Sequence, residues 1–124
     1  GTWQLQCADT NGTVSTTSTG IARALNTTYF MVLHVMFGDG NDVVDLFVNP
    51  ASIGGDAPVT PSASVTLTHD LYFRSFRFYP GSGANNGYVD EVRIGETYAD
   101  VTPAVPEPAF ALALASLALV FRRK

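Results

Sequence analysis

Two alternating apolar runs, residues 29–37 and 43–48, flank Gly38-Asp39-Gly40-Asn41-Asp42, and this pattern most constrains what the chain can fold into. Tyr29, Met31, Leu33, Val35 and Phe37 share one phase of the first run. A period of two marks an extended strand, because successive side chains point to opposite faces. The other phase holds Phe30, Val32, His34 and Met36, so the strand is expected to be covered on both sides. In the return run Val44, Leu46 and Val48 point inward and Asp45 outward. The five residues between them place Gly where positive φ costs little, and Asp and Asn where side chains bond the local backbone. The spacing predicts an antiparallel hairpin.

The rest of the body carries the same signals. Residues 2–7 are predicted as a short strand. Residues 8–28 are rich in Thr, Ser and Gly and are predicted as a long loop with one strand near 21–25. Residues 49–61 form a Gly/Pro loop. Residues 64–69 alternate with Val65 and Leu67 inward and Thr66 and Thr68 outward. Residues 71–79 are predicted as an aromatic strand with Phe76 and Phe78 inward and Arg77 outward. A turn-rich loop follows at 80–86. The last strand is predicted at 87–94, with Tyr88, Val92 and Ile94 on one face. No stretch before residue 105 combines a helical period with caps. The expectation is an all-β fold: an antiparallel β-sandwich of the jelly-roll kind over residues 1–98. Five or six strands are few for two sheets, and the first residue is Gly1, not Met. The sandwich is therefore expected to be incomplete, with an N-terminal part lying upstream. Residues 99–104 read as a linker and 105–124 as a separate segment.

Charge narrows the partners. Before residue 105 ten acidic side chains stand against four basic ones, and the sole Lys is Lys124. Nucleic acid requires a basic stripe, so it is excluded as a partner of the body. Cys7 is the only cysteine. A lone thiol has no internal disulfide partner. It reads as a buried small hydrophobe, with pairing to a cysteine upstream as the alternative.

The tail reads on its own terms. Residues 109–121 carry no charge and are rich in Ala and Leu, both strong helix formers. Pro106 and Pro108 keep the helix from extending upstream. At 1.5 Å per residue the run reaches about 20 Å, against roughly 30 Å of hydrocarbon. Counting from Val105, and letting Arg122, Arg123 and Lys124 snorkel, brings it to marginal spanning length. The basic end belongs on the cytoplasmic side, which leaves the body outside. A short C-terminal transmembrane helix is therefore expected, built on Ala109, Phe110, Leu112, Leu114, Leu117, Leu119, Val120 and Phe121.

Two family resemblances follow. Gly87-Tyr88-Val89-Asp90-Glu91-Val92-Arg93-Ile94-Gly95 resembles the closing strand of laminin-G-like, concanavalin A-like jelly rolls. Phe73-Arg74-Ser75-Phe76-Arg77-Phe78 with Gly81-Ser82-Gly83 is similar to the strand and loop before it. This likeness covers about residues 29–98. Val105-Pro106-Glu107-Pro108, the apolar run, and Arg122-Arg123-Lys124 at the terminus resemble the PEP-CTERM sorting signal. That resemblance implies recognition and cleavage near the motif by a membrane exosortase. It implies an exported protein of a Gram-negative-type bacterium that makes exopolysaccharide or biofilm matrix, held transiently in the inner membrane. The jelly-roll resemblance implies by fold-level analogy that the body binds carbohydrate or another matrix component; jelly rolls of this kind include glycosidases, and a non-enzymatic protein is the expectation here. The alternative is the C-terminal remnant of a secreted glycan-active enzyme; a structural stalk without a ligand is a third reading.

Candidate chemistry in the body is sparse. Asp39, Asn41, Asp42 and Asp45 crowd one hairpin and offer oxygen ligands for calcium, or plain turn chemistry. Asp90 shares a phase with Tyr88, Val92 and Ile94 and is expected to point inward, paired or hydrogen-bonded. Asp90 and Glu91 are adjacent on one strand, so they face opposite ways and cannot form a glycosidase pair. His34 and His69, the only histidines, assemble no triad or metal cluster by spacing. Trp3, Tyr29, Tyr72, Tyr79 and Tyr88 offer a sugar-stacking platform or ordinary sheet packing. Asn11-Gly12-Thr13 and Asn26-Thr27-Thr28 match the sequon by chance in a Thr-rich stretch.

Overall fold

The structure is a computed structural model that describes residues 1–79 and 87–102. Its elements are β1 (Thr2–Ala8), β2 (Val14–Ala22), β3 (Met31–Met36), β4 (Val43–Val48), β5 (Ala63–Thr66) and the single turn α1 (Tyr98–Val101). β1 and β2 pair antiparallel as one sheet, and β3, β4 and β5 form a second antiparallel sheet in that order. The fold is all-β, as the alternation predicts.

β1 is the strand expected at 2–7, and it forms a hairpin with β2, which occupies 14–22 of the stretch expected to be a long loop with one strand near 21–25. The 8–28 stretch is polar, which suggests a loop, but Thr is β-branched and suits a pleated surface. β2 alternates between half-buried and exposed positions along its length. Its polar side chains bond across the pair: Thr2 Oγ1 and Ser18 Oγ lie 2.8 Å apart, and Gln6 Nε2 donates to Thr16 Oγ1 at 3.2 Å. The turn is closed by Gly12 at φ 81°, a conformation open to glycine.

The two sheets share one core. Leu5 and Cys7 of β1 meet Val44, Leu46 and Val48 of β4 and Ala63 and Val65 of β5, with Leu67 just beyond. Trp3, Ile21, Tyr29, Met31, Leu33, Val35 and Leu71 pack around it. Opposed residues of an antiparallel pair share a face. The register pairs Val44 with Val65 and Leu46 with Ala63, which puts all four on the core side. Burying each Val or Leu side chain there contributes about 1.5–3 kcal/mol, and Ala63 less.

The outer face of the second sheet is partly covered too, as expected for the β3 strand. Val32 lies opposite Phe47, and both are buried. The Phe47 ring meets the Tyr98 ring edge-on at 6.1 Å. α1 is set by a capping box: Thr97 Oγ1 accepts from Asp100 N, and Asp100 Oδ2 accepts from Thr97 N. The Thr97 hydroxyl and amide hold the Asp100 carboxyl below its ordinary value. Tyr98 Oη donates to Ser52 O at 2.7 Å, and the buried Thr102 hydroxyl accepts from Gly54 N at 2.9 Å. Residues 98–102, at the boundary between the expected sandwich and the 99–104 linker, thus dock on the 49–61 loop.

Two expected strands are absent among the described residues. In 71–79 only Leu71 pairs, through an isolated bridge to Asp9. Phe76 and Phe78 are 52% and 45% exposed rather than inward. Residues 87–94 form no strand, and Tyr88, Val92 and Ile94 are exposed. Alternation marks a segment able to extend, but a strand exists only where a neighbour completes its ladder, and none does here. The expected C-terminal membrane helix, residues 105–124, lies outside the described residues. No helix among the described residues is long and apolar enough to cross a membrane.

Candidate functional site

The body's most organised polar feature is a pair of buried aspartates that hold one segment from two sides. Asp9 ends the β1 side of the first hairpin and is 2% exposed. Its Oδ1 accepts from Asn11 N at 3.0 Å and Thr13 N at 2.8 Å. Its Oδ2 lies 3.5 Å from His69 Nδ1. Burial pulls the Asp9 carboxyl upward, but the two amides and His69 together outweigh it and leave it below its ordinary value. Asp42 closes the hairpin between β3 and β4 and is also 2% exposed. Its Oδ1 accepts from Gly38 N at 3.0 Å and its Oδ2 from Leu71 N at 2.6 Å. Its backbone carbonyl accepts from Leu67 N at 2.8 Å.

Both carboxylates therefore converge on residues 67–71, one from each sheet. Thr10 N to Asp70 O and Tyr72 N to Ala8 O, each 2.9 Å, complete the tie. A buried carboxylate costs several kcal/mol unless it is hydrogen-bonded, roughly as for any buried ion. Here backbone amides meet that need, and the result is a fixed loop junction. The sequence reading missed Asp9. The signal was present: Asp9 precedes Asn11-Gly12, a hairpin dipeptide whose amides an Asp can accept.

The hairpin offered for calcium is divided by the fold. Asp39 and Asn41 are exposed at its tip. Asp42 turns inward and binds amides. Asp45 sits on β4, opposite His34 of β3 and Ser64 of β5. Among the described residues no group of three or more His, Cys, Asp or Glu side chains is placed to hold a metal ion.

The register sets His34, Asp45 and Ser64 in one row across the second sheet. These are the residue types of a nucleophilic triad in the wrong order. A relay needs His between Ser and Asp; here Asp is central. The row is a strip of hydrogen-bonding groups in which His34 and Ser64 are exposed and Asp45 between them is half-buried.

The aromatics divide in the same way. Trp3 and Tyr29 meet edge-on at 5.2 Å, and the Arg23 guanidinium lies 6.0 Å from the Trp3 ring centre. Tyr29 Oη accepts from Ala24 N and donates to Ala22 O, both at 2.9 Å. Tyr72, Tyr79 and Tyr88 are exposed on other segments, so the five do not form one platform. Asp90, expected inward, is exposed, and Glu91 beside it bonds Arg93 at 2.8 Å. Cys7 is a free buried thiol, pushed up by burial. The sorting motif Val105, Pro106, Glu107, Pro108, the apolar run and the basic terminus lie outside the described residues.

Compared with known proteins, the chain matches no family model, no curated protein and no solved structure.

Proposed function

We propose that this is a non-catalytic protein of a bacterial cell surface or biofilm matrix, exported and then sorted by an exosortase through residues 105–124. One observation carries the reading: Val105-Pro106-Glu107-Pro108, an uncharged run at 109–121, and Arg122-Arg123-Lys124 stand in that order at the C-terminus. An apolar run of marginal spanning length with a basic end holds the body outside the membrane until it is cut. The two-sheet body is read as part of a laminin-G-like, concanavalin A-like jelly roll that binds carbohydrate or another matrix component. The polar His34–Asp45–Ser64 row and the acidic body, which carries no Lys before residue 105, suit a neutral polar ligand better than an anionic one.

The test is the fate of the tail. The full-length protein is expressed with and without the exosortase, and intact mass is measured in membrane and extracellular fractions. Loss of the tail near Pro106 only with the exosortase is expected. An intact, membrane-retained tail in both strains refutes sorting.

A further inference from the structure

Among the described residues β1 has a neighbouring strand, β2, on one side only. On its other side the chain returns at residues 70–72. There Asp9 and Leu71 form an antiparallel bridge, flanked by Thr10 N to Asp70 O and Tyr72 N to Ala8 O, each 2.9 Å. Those flanking bonds make Asp9 and Leu71 a non-hydrogen-bonded pair. They also show which groups of β1 face this edge. The Ala8 carbonyl does, and alternation turns the backbone of Gln6 and Gln4 the same way. Beyond Tyr72 the chain leaves the edge: Phe73 N donates to Leu71 O at 3.1 Å, a three-residue turn. Phe73, Phe76 and Phe78 are then left 65%, 52% and 45% exposed.

The bridge fixes the register of any continuation. In antiparallel pairing a step forward on one strand is a step back on the other, so Ala8 meets Tyr72 and Cys7 meets Phe73. Opposed residues share a face, and Cys7 and Leu5 face the core. An unbroken ladder would aim Ser75 and Arg77 at the core and leave Phe76 and Phe78 in water. One β-bulge, with Arg74 and Ser75 both opposing Gln6, reverses that phase. Phe76 then opposes Leu5, Arg77 stands outward beside Gln4, and Phe78 opposes Trp3. Leu71, Phe73, Phe76 and Phe78 all face the core, while Tyr72, Arg74, Ser75 and Arg77 face water. Phe76 and Phe78 already lie on one side of their segment, ring centres 4.8 Å apart.

We propose that residues 73–78 are a strap that docks on the open edge of β1 as a third strand, in this bulged register, and that the structure holds the strap undocked beyond Tyr72. Docking covers an edge that would otherwise template pairing with other chains. It also removes three exposed Phe side chains from water.

The test uses the full chain in a Cys7→Ser background. Gln4→Cys is combined with Arg77→Cys, and in a second protein with Phe76→Cys, the pair an unbulged ladder would oppose. Opposed Cα atoms about 4.5–5.5 Å apart suit a disulfide. The 4–77 pair is expected to close within one chain, several-fold faster than 4–76. Faster closure of 4–76, a bond joining two chains, or no bond in either overturns the proposal. Hydrogen exchange on the unsubstituted protein decides the matter if a variant fails to fold. Docking slows the Gln4 and Gln6 amides at least roughly tenfold relative to an exposed edge; exchange at the exposed rate overturns it.

Discussion

Replacing Asp42 with Ala should be among the most damaging single changes at the surface loops of this protein. Asp42 is a turn residue by position, yet its carboxylate accepts two amides from different parts of the chain, Gly38 and Leu71. The Ala variant leaves both donors without that acceptor. A hydrogen bond to a charged group contributes about 1.5–3 kcal/mol, and an orphaned buried donor costs about 1–3. With partial rescue of the Gly38 amide by water, the expected loss is about 2–5 kcal/mol. Against a total stability of roughly 5–15 kcal/mol that is a large fraction. It corresponds to a Tm lower by about 10–30 °C for a domain of this size. Asp42→Asn keeps one acceptor oxygen and should lose about half as much. Asp39→Ala, at the exposed tip of the same hairpin, should stay within about 0.5 kcal/mol. Urea and thermal unfolding followed by circular dichroism measure all three. If Asp42→Ala falls within the Asp39→Ala range, the carboxylate is not holding the 38–42 turn to residue 71 and the argument fails.

Asp9 carries a pH signature. Its folded carboxyl lies below the ordinary 3.8, so its stabilisation is fully present above that value and is lost as pH falls through the folded value. Asp9→Asn retains a side-chain oxygen for the Asn11 and Thr13 amides but removes the charge. The stability gap between parent and variant should be widest near neutral pH and should close below about pH 4; a gap independent of pH in acid unfolding curves contradicts this. Gly38→Ala tests the neighbouring turn, because a Cβ there would lie 2.6 Å from Asn41 O, a backbone atom. Relieving that overlap should cost about 1–3 kcal/mol, seen as a lower urea midpoint at unchanged slope; an unchanged midpoint shows that the hairpin yields freely.

What was legible in the sequence was what is local. The hairpin of β3 and β4 announces itself because its two alternating runs and its Gly/Asp turn are contiguous, and each element agrees with the next. β5 follows from Val65 and Leu67 alone. β2 was hidden because its core-facing side is only half-buried, so Ser and Thr could occupy it and the stretch looked like a loop. The two buried aspartates were hidden for a related reason. A carboxylate that accepts local amides looks like ordinary turn chemistry, and nothing near Asp42 in sequence reveals that residue 71 is its second donor. The aromatic segments failed in the opposite direction: alternation at 71–79 and 87–94 is plain, but a strand also needs a partner, and partners are chosen by the whole chain. The same contrast runs through the reading of function. The tail is a local pattern and speaks from one end of the sequence. The proposed ligand of the body would meet a surface assembled from distant strands, such as the row of His34, Asp45 and Ser64, whose members lie 11 and 19 residues apart and meet only through the register of β3, β4 and β5. Changing that row should leave the core untouched, since its side chains face away from Val44, Leu46, Ala63 and Val65, so the binding proposed for the body can be tested apart from its folding.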